Sequence, residues 1–190
     1  MARYGKEHKE ATRQRIVESA GRRFKQSGVD GSGVATLMAD AGLTNGAFYA
    51  HFESKDDLVA TVVTEQLRAQ AEAIAALPAG RAGLEQFIRD YLSAEHRDNP
   101  AAGCPSAALL DEIVRSTDVA RQGYTEGAGT IIDEIATRLS PRNPTAARGR
   151  AIGLFALLVG SLQLARALAD QALSLEVLER GVENAATFLR

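Results

Sequence analysis

Apolar residues recur along this chain at steps of three and four, and nowhere do they sustain a two-residue alternation. Only a helix gathers such positions onto one face, so the pattern commits the chain to an all-α fold of amphipathic helices packed on one another. Ile16, Val17, Ala20 and Phe24 make one stripe, on a first helix expected to stop at Gly28, a residue suited to the left-handed position past a helix end. Ser32 is placed to cap a second helix running through residue 40. Ala41-Gly42-Leu43 reads as a tight turn with Gly42 free to take positive φ, and Thr44 can cap a short third helix ending near His51. Ser54 and Asp57 form a capping-box start, with Asp in place of the usual Glu or Gln, for a long fourth helix to about residue 77.

Pro78-Ala79-Gly80 breaks the chain, and a fifth helix is expected over residues 81–95 with Leu84, Phe87, Ile88, Tyr91 and Leu92 inward. Residues 99–103 read as a loop, 105–114 as a shorter helix, and 118–139 as a longer one closed by Pro141 and Pro144. Gly123, Gly127 and Gly129 lie inside that last helix at about 1 kcal/mol each relative to Ala, which points to close helix packing or to a bend beside a cavity. The final two helices carry stripes with the three-four spacing of shallow-angle bundles. On this basis Phe155, Leu158, Leu162, Ala165, Leu175, Leu178, Val182, Ala185 and Leu189 are expected at a homodimer interface, the alternative cover being the rest of the same chain.

The chain has 190 residues and a net charge of −2, which by itself gives no hint of nucleic acid. The average hides an asymmetry: residues 1–55 hold nine Lys/Arg against six Asp/Glu, with the excess before Gln26, the footprint of a first helix lying near phosphates. Two domains are expected, 1–55 and 56–190. The single cysteine, Cys104, rules out an intramolecular disulfide framework and fits a reducing cytoplasm. The first twenty residues are charged and lack the apolar core of a signal peptide. Residues 151–165 lack charge but fall short of the ~20 that a bilayer needs, so no membrane partner is expected.

Residues 32–57, SGVATLMADAGLTNGAFYAHFESKDD, carry the function. Two helices around a short glycine turn have the helix-turn-helix layout, in which the second helix enters the DNA major groove. Leu37, Leu43, Phe48 and Phe52 are placed to hold the unit together, leaving Asn45, Gly46 and Tyr49 outward. Asn45 can donate and accept at one base edge, Gly46 lets the backbone approach, and Tyr49 can reach a phosphate. The run from Gly42 to Lys55, GLTNGAFYAHFESK, closely resembles the DNA-binding domain of the TetR family, which reads roughly G-[VL]-[ST]-x-G-x-[FL]-Y-x-[HY]-F-x-[SN]-K. The resemblance implies base contact from Thr44, Asn45, Gly46 and Ala47 and phosphate contact from Tyr49, His51 and Lys55. Ser32, ahead of the second helix, is a further candidate on this surface. With no Lys or Arg on the reading helix, non-specific affinity is expected from Arg3, Lys6, Lys9, Arg13 and Lys55. The resemblance also implies double-stranded operator DNA as partner, a small-molecule inducer bound among the middle helices, and a dimer made by the last two.

Tyr91, Leu109, Ile113, Tyr124 and Phe155 are the expected pocket walls, mixing aromatic and aliphatic surface, although core packing is the commoner fate of such residues. Gly103-Cys104-Pro105 precedes a predicted helix, where amides and the helix dipole favour negative charge on sulfur, and a similar glycine-cysteine step occurs in one electrophile-sensing branch of TetR-like repressors. Cys104 is therefore a candidate sensor of oxidants or electrophiles. His8, His51 and His96 show no metal-ligand spacing, and Asp111-Glu112 and Asp133-Glu134, pointing to different helix faces, are expected to be solvated. No G-x-S-x-G, P-loop or Cys/His nucleophile motif is present, so neither catalysis nor a cofactor is expected. The competing class is a helical adaptor or enzyme whose helix-turn-helix is incidental.

Overall fold

The computed structural model describes residues 2–78 and 80–190, with side chains from Glu7 onward. Among them there are helices and no strands. Helix α1, Ala2–Ser27, buries Ile16, Val17, Ala20 and Phe24 and ends where Gly28 turns to φ +78°. Helix α2 is Val34–Asp40, and Gly42 follows it at φ +67°, its amide donating to Ala39 O and that of Leu43 to Met38 O. The third helix is a tight 3-10 turn, Asn45–Ala50, rather than a regular α-helix. Helix α3, Lys55–Ala75, starts at a reciprocal cap: Asp57 N–H donates to Ser54 Oγ while Glu53 N–H donates to Asp57 Oδ2.

The expected fifth helix is two. Helix α4, Arg81–Tyr91, stops at Leu92, and Ser93 caps a short α5, Ala94–Asp98. After a 3-10 turn at Pro100–Ala102 come α6, Pro105–Val114, α7, Asp118–Leu139, α8, Pro144–Ala167, and α9, Gln171–Ala185.

Helix α3 is the spine that joins the two ends. Its first half buries Leu58, Val59, Val62 and Val63, and its second half presses on α7 through Leu67. Two α7 glycines explain that approach, since a Cβ on Gly123 would lie 2.5 Å from Thr64 Oγ1 and one on Gly127 would lie 2.6 Å from Leu67 Cβ. Gly129 faces open space.

Helix α8 overturns part of the interface expected from the stripe. Phe155, Leu158, Leu162 and Ala165 are buried within the chain itself, as are Leu178 and Ala185 of α9, because α8 runs through the core and its stripe meets its own neighbours. Val182 and Leu189 are half-buried, and of the expected interface residues only Leu175 is exposed. The open line on α8 is a different one: Ile152 at 47% exposure, Ala156, Gly160, and Leu164 at 53%. Among the described residues α8 alone is long and apolar enough to cross a membrane, yet Leu154, Phe155, Leu158 and Leu162 are buried against the chain and Arg148, Arg150 and Arg166 sit along it.

Candidate nucleic-acid interface and ligand cavity

The reading surface is built by two buried phenylalanines. Phe48 and Phe52 stack at 5.7 Å, both essentially inaccessible, and their burial turns the opposite side of the 3-10 helix outward. Thr44, Asn45 and Gly46 are exposed, Ala47 is half-buried, and the Tyr49 ring is 72% exposed with its edge against Phe48. The Arg23 guanidinium braces the unit with a two-pronged bond to Asp40, Nε to Oδ2 at 2.6 Å and Nη2 to Oδ1 at 2.9 Å.

Other residues expected on this surface make contacts within the chain, and Ser32 alone is buried out of reach. Ser32 is fully buried and donates to Gly28 O, while Gly33 takes the position ahead of α2. Lys55 donates to Val29 O at 2.6 Å and Glu112 accepts from Val29 N–H, so the loop after α1 is pinned from both α3 and α6. Glu112 is therefore not simply solvated; Asp111 pairs with Arg115 and Asp133 with Arg148. Arg13 lies over the Phe52 ring and bonds Glu65 and Thr61, tying α1 to α3. His51 is half-buried, with Nδ1 lacking a partner; burial, then the charges of Lys9 and Arg13, push its pKa below the ordinary value. Lys9 is exposed, and the side chains of Arg3 and Lys6 lie outside the described residues.

A cavity of about 440 Å³ opens between the end of α1, the middle of α3, α4 and the segment leading into α6. Tyr91 and Cys104 line it, together with Lys25, Gln66, Gln70 and His96. Leu109 and Ile113 instead face a smaller hollow of about 120 Å³ beside Phe24 and Val59, Tyr124 lines a surface cleft while its hydroxyl donates inward to the buried Ser106, and Phe155 is core. Lys25, the pair Gln66 and Gln70, and His96 were not legible in the sequence because they come from three separate helices, α1, α3 and α5.

The wall around Cys104 is tightly hydrogen-bonded. His96 Nδ1 donates to Tyr91 O at 2.8 Å and Nε2 accepts from Cys104 N–H at 2.9 Å, which defines a neutral imidazole. Burial, opposed by that bond to Tyr91, depresses its pKa further with help from Arg166 and Lys25. Arg166 donates to the carbonyls of His96, Arg97 and Ala107. The Cys104 thiol is buried and donates to Gln70 Oε1 at 3.3 Å.

Two short helices around a positive-φ glycine, with the outer face of the second left bare and a helical bundle behind them, have the helix-turn-helix layout on an α-helical body. Residues 16–62 match the family described as "Bacterial regulatory proteins, tetR family". The HTH-type transcriptional regulator AcrR of Shigella flexneri is 40% identical over 62 residues, 33% of this chain and 29% of that protein. The HTH-type transcriptional repressor AcnR of Corynebacterium diphtheriae is 28% identical over 127 residues, 67% of this chain and 63% of that protein. The chain thus spans less than two thirds of both relatives. The crystal structure of E. coli NemR in its reduced form shares the fold, with a TM-score of 0.79 at 19% identity over 93% of this chain and 96% of that one. The similarity to the tetR family thus lies in residues 16–62, and the likeness to NemR is one of fold along the whole chain.

Proposed function

We propose that this protein is a ligand-responsive transcriptional regulator that grips a palindromic operator as a homodimer and lets go when a small molecule fills the cavity beside α3. The observation that carries the reading is the exposed row Thr44, Asn45, Gly46 and Tyr49 held out by buried Phe48 and Phe52. Helix α3 supports the coupling: its first half packs on α1, which in turn packs on α2, and Gln66 and Gln70 line the cavity. A ligand that tilts α3 changes the separation of the two reading helices from the roughly 34–36 Å that one DNA turn requires. Moving such a balance from 99:1 to 1:99 takes about 5.5 kcal/mol of differential affinity. The second subunit is expected on the open line Ile152, Ala156, Gly160 and Leu164, with Leu173 and Leu175 exposed nearby in sequence on α9.

Selection of bound duplexes from a random-sequence pool tests this. Enrichment of a two-fold symmetric motif, with affinity falling steeply as salt rises, is the expected result. Recovery of no motif, with weak retention of all sequences alike, would refute it and favour an adaptor. A second reading makes Cys104 the trigger, supported by the thiol's place on the cavity wall. It requires Cys104→Ser to abolish an oxidant or electrophile response while operator binding persists.

A further inference from the structure

Resting on the reading of this cavity as an inducer site, two of its groups narrow the ligand's chemistry. Tyr91 is only 4% exposed, and its hydroxyl, at the cavity wall, makes no well-formed hydrogen bond and has the Cys104 thiol as a weak hydrogen-bonding neighbour. Burial and the adjacent Cys104 hold the phenol's pKa well above its ordinary value, so it stays an O–H donor. A buried donor without an acceptor costs about 1–3 kcal/mol, which a ligand oxygen would recover. Lys25, in the last turn of α1, spends one N–H on Gly103 O at 2.8 Å. An ammonium has three, and among the described residues no carboxylate pairs with it. Ala69, Phe87, Ala102 and Pro105 make much of the remaining wall apolar.

We infer that the cavity takes a small, largely apolar organic anion, its charged oxygen held by the Lys25 ammonium and the Tyr91 hydroxyl and its hydrocarbon body lying against Phe87. The anion takes an N–H that the bond to Gly103 O leaves free. Because Lys25 belongs to α1, which packs on α2 and α3, the ligand is gripped by the helix that braces the reading unit and not only by the helical body.

Two dyes test this on the full-length protein: anilinonaphthalene sulfonate, and phenylnaphthylamine, the same ring system without the sulfonate. Fluorescence titration at pH 7 should give at least tenfold tighter binding of the sulfonate, with Lys25→Met abolishing that preference and Tyr91→Phe reducing it several-fold. Lys25 titrates at about 8, lowered mainly by burial and further by Arg166 and Arg22, with Cys104 opposing; Asp90, His96 and Tyr91 also face the cavity. Raising the pH of the unmutated protein through about 8 should therefore erase the preference with no substitution at all, and Cys104→Ser should behave the same way, which excludes the thiol as the titrating group. Ala69→Trp, which plugs the cavity, should remove both dyes. Equal wild-type affinity for the two dyes, or a preference that survives Lys25→Met or high pH, overturns the anion assignment while leaving the cavity as a ligand site. If neither dye binds, or if both bind undiminished to Ala69→Trp, the cavity reading falls with it.

Discussion

Two glycines one helix face apart offer a severe test of how α7 meets α3. Replacing a mid-helix Gly by Ala gains about 1 kcal/mol in helix propensity wherever the methyl has room. At Gly129 it has room, since nothing lies within 4 Å of the added Cβ. At Gly127 the same methyl would sit 2.6 Å from Leu67 Cβ and 2.8 Å from its Cδ1, and Leu67 is fully buried. Carbon pairs rest at about 3.5–4.0 Å, so α7 must back away from α3 by roughly 1 Å. Overpacking of that kind costs about 1–3 kcal/mol, which exceeds the propensity gain. Gly129→Ala should therefore raise stability by about 1 kcal/mol and Gly127→Ala should lower it by up to about 2 kcal/mol. For a chain of this size each kilocalorie moves the melting temperature by about 2–4 °C. Urea and thermal unfolding at one fixed protein concentration read the difference, the fixed concentration being needed because association shifts apparent stability. Equal stabilisation by both alanines would show that α7 is not pressed on α3, and the account of α3 as the rigid link would fail.

Asn45→Ala, at an exposed position, should leave the melting temperature unchanged and cost about 1–3 kcal/mol of discrimination at a single base position of the selected motif; undiminished discrimination would remove Asn45 from base reading. Leu164→Asp on the open line of α8 should shift the protein to monomer in sedimentation velocity, and a persistent dimer would place the interface elsewhere. His96 titrates below 6.5 when folded, chiefly through burial, so the unfolded chain takes up the proton first as pH falls. Its contribution to stability is complete above about pH 6.5 and is lost on acidification below it. His96→Gln should flatten that acid limb; an unaltered limb would mean that the neutral imidazole between Tyr91 O and Cys104 N–H contributes nothing there.

Most of the helices and the helix-turn-helix unit were legible in the chain itself. Gly28 and Gly42 adopt the positive φ expected of them, Ser54 caps α3, and Phe48 and Phe52 turn inward so that Asn45 and Tyr49 face out. Each of these depends on residues within one or two turns of one another, where spacing and side-chain chemistry are sufficient. Ser32 and Lys55 escaped that logic because their partners, Gly28 O and Val29 O, are backbone groups placed by a loop whose path periodicity does not encode.

The exposed face of α8 and the walls of the cavity belong to the tertiary structure alone. Helix α8 is apolar nearly all round, so its spacing marks several inner faces, and only the packing of the rest of the chain leaves Ile152 and Leu164 bare while covering Leu158 and Leu162. Lys25, Gln70, Tyr91 and Cys104 are far apart in sequence and become one surface because α1, α3, α4 and the start of α6 converge. A sequence states which side chains a helix carries on each face; which neighbour, if any, covers that face depends on the summed burial of all the helices at once.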